Sequence, residues 1–365
     1  MNFFTTGSFL FDKALGNGFP AGKIVNLIGD KSTGKTLIAC ETIAQAKAVY
    51  GDKVKWFYDD AEAGFSFNTE LIYGFQILSD ERKPSSTMEE LDYNLDRCLN
   101  QIEDDELFIY VVDSFDALSS EEEMELVEKR RAAIAKGKDF DEGSYMLKKN
   151  KLFNQFFRTQ RQRIKDKNCL LIFISQIRDN IGVTFGKKYK RYGGKALDFY
   201  SSQVVWLSEA EKYETKDERA YGIAVKAYVE KNKIGKPFRT CFFDIRFDYG
   251  IDNTFSNVNF LYNLRDGFGK LKAGKKLPEI KWNDQIFNSP DDLTFFIEKN
   301  GFHKELQNKV DEQWEALDFA TSIESTGRCS KLDLMKQIYK QIPPPIIEEN
   351  SSQKKTAGRP KKNEN

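Results

Sequence analysis

Between an apolar run at residues 23–28 and a helix-like pattern at 37–44 stands Gly29-Asp30-Lys31-Ser32-Thr33-Gly34-Lys35-Thr36. A strand, a glycine-bounded loop and a helix in that order are what a phosphate-binding loop requires, and no other stretch restricts the fold so tightly. The two glycines let backbone N–H groups curl around phosphate oxygens, while the helix behind them presents its positive end. Lys35 supplies a point charge for the β- and γ-phosphates, and the Thr36 hydroxyl is placed to ligate Mg²⁺. A nucleoside triphosphate is therefore the expected ligand, held by all eight residues of the loop.

The rest of the chain reads as a sheet built around that loop. Apolar runs at 24–28, 54–58, 107–112 and 170–175 alternate with helical segments, the pattern of a mainly parallel sheet covered on both faces. Runs at 203–207, 222–229 and 239–246 lack helices between them and are expected to extend the sheet in antiparallel fashion. Phe153, Phe156, Phe157, Gln160 and Ile164 recur at helical spacing, a stripe suited to packing on the core. After about Lys270 the texture changes to short helices. Ser289-Pro290-Asp291-Asp292 is a helix start, Gly301 can close that helix, and Leu306, Val310, Trp314 and Leu317 mark the buried face of the next. At 365 residues the chain has room for such a division. The expected organisation is an α/β ATPase-type core over 1–270, a small helical domain over 271–345 and a basic tail over 346–365. His303 falls between the two late helices, where a surface or cap role is expected.

Composition excludes more than it selects. Lys plus Arg and Asp plus Glu are both 56, so net charge says nothing about nucleic acid and local distribution has to decide. Cys40, Cys98, Cys169, Cys241 and Cys329 are far apart, which argues against a zinc site or disulfide framework and fits a reducing cytosol. With no membrane-spanning run and no signal-peptide pattern, a soluble cytoplasmic protein is expected.

Three further strands carry chemistry to the edge where the phosphate loop lies. The run 107–112 ends in Asp113, a carboxylate placed to hold Mg²⁺ through its water shell. The run 54–58 leads into Asp59-Asp60-Ala61-Glu62. Glu62 is a candidate base for the attacking water, and a solvated acidic turn is the competing account. The run 170–175 delivers Gln176, whose amide can hydrogen-bond a γ-phosphate and lose that partner after hydrolysis. Directly behind it lies the segment 178–195, rich in glycine, cations and rings: Arg178, Gly182, Phe185, Lys187, Lys188, Lys190, Arg191, Gly193, Gly194 and Lys195 are its candidate DNA-binding residues. Cations there can neutralise phosphates and rings can stack unpaired bases, whereas a mobile solvated loop is the bland alternative.

Taken together these residues resemble the RecA family of DNA strand-exchange recombinases, over most of residues 6–252. Thr6-Gly7-Ser8, Ala14-Leu15-Gly16 and Gly22-Lys23-Ile24-Val25 are similar to the family's lead-in, Asp60-Ala61-Glu62-Ala63 to its catalytic-glutamate segment, and Val111-Val112-Asp113-Ser114 to its Mg²⁺-side aspartate. Phe173 to Arg178, then Ile181-Gly182-Val183 and Gly193 to Tyr200, resemble its switch glutamine and second DNA-binding loop. The resemblance implies that ATP is the nucleotide, that Lys35, Glu62 and Gln176 serve catalysis, and that Phe247 lies near the adenine. It implies that Lys231 and Lys233 act in trans on a neighbour's γ-phosphate, and that 143–146 ends the first DNA-binding loop. Four departures stand out. Only five residues precede Thr6, so the N-terminal polymerisation element is expected to be missing. A charged segment over 121–138 enlarges the first loop region. Ser66 replaces a frequent acid near base and ribose. The tail is basic, and its Gly358-Arg359-Pro360-Lys361-Lys362 resembles the core of an AT-hook for A·T-rich duplex.

The leading expectation is an ATP- and Mg²⁺-dependent recombinase that binds single-stranded and duplex DNA, assembles with copies of itself and does not engage membranes. A non-filamenting accessory or loader protein and a ring helicase on the same ATPase fold are the alternatives.

Overall fold

Strands buried on both faces of a sheet need apolar residues at every position, and the apolar runs meet that need. The computed structural model describes residues 2–78, 83–136, 146–179, 189–191, 194–272 and 277–341. Its first elements are β1 (Phe3–Phe4), α1 (Phe9–Leu15), β2 (Phe19–Pro20), β3 (Ile24–Gly29), α2 (Lys35–Tyr50), β4 (Val54–Asp59), α3 (Thr69–Tyr73), α4 (Met88–Gln101) and β5 (Leu107–Val112). Then come α5 (Glu121–Ala135), α6 (Met146–Asp166), β6 (Cys169–Asp179), β7 (Tyr189–Arg191), α7 (Gly194–Tyr200), β8 (Gln203–Glu214), β9 (Ala220–Asn232), β10 (Thr240–Arg246) and β11 (Gly250–Ile251). The last are α8 (Asn253–Leu261), β12 (Ile280–Trp282), β13 (Gln285–Phe287), α9 (Pro290–Asn300), α10 (His303–Ala320) and α11 (Lys331–Gln341).

The main sheet has the order β11-β10-β9-β8-β3-β6-β5-β4, with β7 paired to β6 outside that path. Strands β8, β3, β6, β5 and β4 run parallel, and β9, β10 and β11 extend the sheet antiparallel to their neighbours. This is the doubly covered, mainly parallel α/β sheet that the sequence predicts. Strand β3 is central, and its last residue, Gly29, lies in register with Gln176 on one side and Leu207 on the other. On one face Leu91, Leu95 and Leu99 of α4 and Phe153, Phe156, Phe157 and Ile164 of α6 close a core against Phe108, Tyr110 and Phe173. Gln160, the polar member of that stripe, is buried and donates to Asp92 at 2.7 Å.

Three boundaries differ from the sequence expectation. Strand β6 continues past 175 to Asp179, so Gln176 belongs to the strand rather than to a loop behind it. β8 and β9 are longer than the apolar runs suggest, because the antiparallel pair keeps its ladder after its side chains turn polar. The chain divides into compact units Met1–Asp311 and Glu312–Asn365, so the boundary expected at 270/271 falls inside the first unit. Segment 277–311 is fastened to the core: Asp291 pairs with Arg246 at 3.3 Å, and the Tyr262 hydroxyl donates to the Lys281 carbonyl. Helix α9 has the expected ends, with Ser289 accepting from Asp292 N–H and Gly301 left-handed at φ 69°. Leu306, Val310 and Trp314 are buried as expected, but Leu317 is exposed. In the unit from Glu312 on, α11 carries Leu332, Met335 and Ile338 on its surface. The added charged segment forms α5, capped by Ser120 and without a buried residue. The expected tail and the AT-hook-like Gly358 to Lys362 lie outside the described residues.

A buried ion pair locks the antiparallel extension to the segment that follows α8. Asp244 of β10 is fully buried and receives hydrogen bonds from Tyr213, Ser256, Asn259 and the Arg265 guanidinium. Removing one partner of such a pair leaves an uncompensated charge in a dry site, at a cost of about 3–5 kcal/mol. Arg265→Met is therefore expected to lower unfolding free energy by about that much, read as a fall in the urea midpoint at unchanged slope.

Candidate nucleotide-binding site

The phosphate loop leaves the central strand where β3 ends between two neighbours. Gly34 caps α2 at φ 85°, a left-handed conformation that strains any residue with a Cβ; a Cβ there would also lie 2.5 Å from Cδ1 of Ile245. The loop holds its own shape: Thr33 Oγ1 donates to the Asp30 carbonyl at 2.9 Å, and Lys35 Nζ donates to that same oxygen at 2.6 Å. Lys35 is buried, which pushes its ammonium below the ordinary lysine range, while Asp113, Asp30, Glu62 and Asp116 act in the opposite direction. One cation thus faces a surplus of carboxylates. A triphosphate entering here needs further positive charge.

Asp113 and Thr36 fit a hard divalent cation that could supply it. The Thr36 hydroxyl donates to Asp113 Oδ2 at 2.7 Å, leaving its own lone pairs for a metal. Burial raises the Asp113 carboxyl, and hydrogen bonds from Tyr58 and Thr36 oppose that rise. Among the described residues no group of three or more His, Cys, Asp or Glu side chains forms a metal cage. Mg²⁺ suits the donors that are present, since it is ordinarily held by one or two protein oxygens plus phosphates.

The three acids that leave β4 together have separate positions. Asp59 is fully buried and accepts from Ser85 N–H at 2.7 Å, Ser85 Oγ at 2.6 Å and the Tyr110 hydroxyl at 2.7 Å. Asp60 accepts from Gly64 and Phe65 N–H groups and shapes the turn. Glu62 is exposed, and its Oε1 accepts from Gln176 Nε2 at 2.6 Å and from the Ser114 hydroxyl. Its backbone N–H reaches the Asp113 carbonyl at 3.1 Å, which ties the ends of β4 and β5. Gln176 is fixed from behind, its N–H donating to Asp116 Oδ2 at 2.6 Å. Catalytic-type acid, metal-side strand end and strand-borne amide are one connected group.

Beside the loop is a cavity of about 350 Å³ bordered by Ser32, Thr33, Gly34, Lys35, Thr36, Phe67 and Phe247. Both rings are partly exposed, at 36% and 43%, so a base could lie against them. A larger cavity of about 750 Å³ lies near Glu41, Tyr73 and Asn253 and includes no loop residue. Volume alone does not choose the site. Sequence reasoning finds Phe247 but not Phe67, Tyr58 or Asp116. Tyr58 closes an apolar strand at the edge where Asp113 emerges, and Asp116 is a second acid in the same turn; both signals are present in the chain.

Of the expected DNA-binding residues, Gly182, Phe185, Lys187, Lys188 and Gly193 lie outside the described residues. The backbones of Arg178 in β6, Lys190 and Arg191 in β7, and Gly194 and Lys195 in α7 are placed: β7 pairs antiparallel with the far end of β6, Arg178 opposite Lys190. Beyond Gln176 the described residues are thus a continuation of β6 paired with β7. Lys231 donates to the Asp198 carbonyl, and to that of Phe199 at 3.1 Å; Lys233 donates to Phe199 at 3.4 Å. Within this chain both lysines dock on the negative end of α7.

A model of the RecA N-terminal domain matches residues 1–252, the stretch that holds every one of these groups. The chain belongs to the RecA family. It is similar to Protein RecA of Chloroherpeton thalassium, 34% identical over 269 residues that cover 73% of this chain and 69% of that protein. It is similar to Protein RecA of Mesoplasma florum at 30% identity over 312 residues, covering 81% and 87%, and to that of Arthrospira platensis at 29% over 308 residues, covering 84% and 77%. The crystal structure of the RadB recombinase is similar at 19% identity and a TM-score of 0.46, covering 68% of this chain and 98% of that one. Among the described residues of this RecA-family chain, no helix is long and apolar enough to cross a membrane.

Proposed function

We propose that this RecA-family protein is a DNA-dependent ATPase that pairs and exchanges DNA strands in recombination and repair. The observation that carries the reading is the 2.6 Å hydrogen bond from Gln176 to Glu62, because it joins the candidate hydrolytic acid to the strand that continues into the cationic segment 178–195. Gly29 to Thr36 would hold ATP with Phe247 beside the base, and Thr36 and Asp113 would hold Mg²⁺, which would supply positive charge to the phosphates. Gln176 would leave Glu62 for the terminal phosphate and draw β6 with it, coupling nucleotide state to the hold of segment 178–195 on single-stranded DNA. Glu62, released, orients the attacking water. Lys231 and Lys233 reach the nucleotide of an adjacent copy and add charge there as phosphoryl transfer proceeds. The cellular compartment is the cytoplasm.

ATP hydrolysis measured with and without single-stranded DNA tests the reading: stimulation is expected, and an identical rate in both would reject it. The grip on DNA is electrostatic, so affinity falls with salt by about 0.7 log units per log unit of salt for each phosphate neutralised on a single strand. Replacing Lys187 and Lys188 together by alanine is expected to reduce that slope by about 1.4. Fluorescence anisotropy across a salt series in the presence of ATP measures it; an unchanged slope would place the DNA elsewhere.

A further inference from the structure

Tyr58 has no part in the scheme above, yet it touches the site's most constrained carboxylate. It is the penultimate residue of β4, is 2% exposed, and its hydroxyl donates to Asp113 Oδ2 at 2.6 Å. The Thr36 hydroxyl donates to the same oxygen at 2.7 Å. Among the described residues Asp113 Oδ1 accepts no hydrogen bond. Two donors therefore occupy one carboxylate oxygen and leave the other for a cation's water shell, and the Thr36 proton is parked where that hydroxyl's lone pairs remain usable.

We infer that Tyr58 is a positioning residue for magnesium: it fixes which oxygen of Asp113 is offered to the ion and keeps Thr36 turned to share the task. The inference rests on the reading of Thr36 and Asp113 as the Mg²⁺-side ligands. Tyr58 makes no contact with nucleotide in this scheme and acts through Asp113 and Thr36. Groups that orient metal-side ligands in this way ordinarily change metal affinity by 10- to 100-fold when removed. Phenylalanine keeps the ring, and with it the packing of Tyr58 against Phe65 at 4.7 Å between centroids, while deleting the single donor.

The test is a titration of the full-length chain with a fluorescent ATP analogue at rising Mg²⁺, in wild type, Tyr58→Phe, Asp113→Asn and Tyr110→Phe. Tyr110→Phe also strips a buried hydroxyl from a carboxylate, Asp59, one strand away, and so reports what a merely structural loss does. Tyr58→Phe is expected to raise the Mg²⁺ midpoint about tenfold with metal-free affinity for the analogue unchanged, and Tyr110→Phe to leave the midpoint in place. An unmoved midpoint in Tyr58→Phe, or an equal rise in Tyr110→Phe, overturns the inference while an effect of Asp113→Asn keeps the magnesium reading. No effect of Asp113→Asn on the midpoint removes the magnesium reading and this inference with it.

Discussion

Lys35→Ala is expected to abolish ATP-dependent DNA binding and to weaken ATP affinity by about 100-fold or more. The loss has two parts. The ammonium group's charge-assisted hydrogen bonds to phosphate disappear, worth about 1.5–3 kcal/mol, and Asp113, Asp30, Glu62 and Asp116 then face the triphosphate without the cation that offset them. Each 1.4 kcal/mol is a factor of about ten, so two such steps reach the stated loss. DNA affinity without nucleotide is expected to stay at its wild-type level, because no residue of segment 178–195 is altered. Anisotropy with labelled single-stranded DNA, with and without ATP, checks both halves. Retention of an ATP-stimulated increase by the variant would separate the phosphate loop from DNA binding and reject the switch.

Glu62→Gln is expected to have the opposite signature: hydrolysis lowered by about 10²–10⁴-fold, the usual worth of a positioned acid–base group, with ATP-dependent DNA binding kept. The amide retains an oxygen where Oε1 now accepts from Gln176 and Ser114, so the local geometry survives while the proton acceptor is lost. DNA complexes of this variant should outlast those of wild type, since release awaits hydrolysis. Rates of phosphate release and of DNA dissociation, measured on the same preparation, are the readout. Wild-type turnover in this variant would return Glu62 to the status of a solvated acidic turn.

How much of this site is legible in the amino-acid sequence depends on how far along the chain each contact reaches. The phosphate loop, the Asp113 strand end and the Gln176 strand are local patterns, and each stands where its own apolar run delivers it. Separate duties for Asp59, Asp60 and Glu62 cannot be read locally, because Tyr110 and Ser85, which claim Asp59, come from elsewhere in the chain. Tyr58 depends on β4 and β5 being neighbours, which fixes the approach of its hydroxyl to Asp113. The domain edge departs from expectation for a related reason: composition changes near 270, but the Arg246–Asp291 pair and the Tyr262–Lys281 hydrogen bond fasten the following residues to the core. Leu317 has the right spacing for a buried helix face and is nonetheless on the surface, since spacing defines a face and not what covers it.

The seating of Lys231 and Lys233 on the last carbonyls of α7 has one further outcome. Two ammonium groups cannot serve a helix end and a distant anion at once. If, as proposed, an adjacent copy's nucleotide attracts them, the carbonyl end of α7 loses that counter-charge. Under the proposed function, docking of an adjacent copy would thus bear on α7, the helix that begins with Gly194 and Lys195.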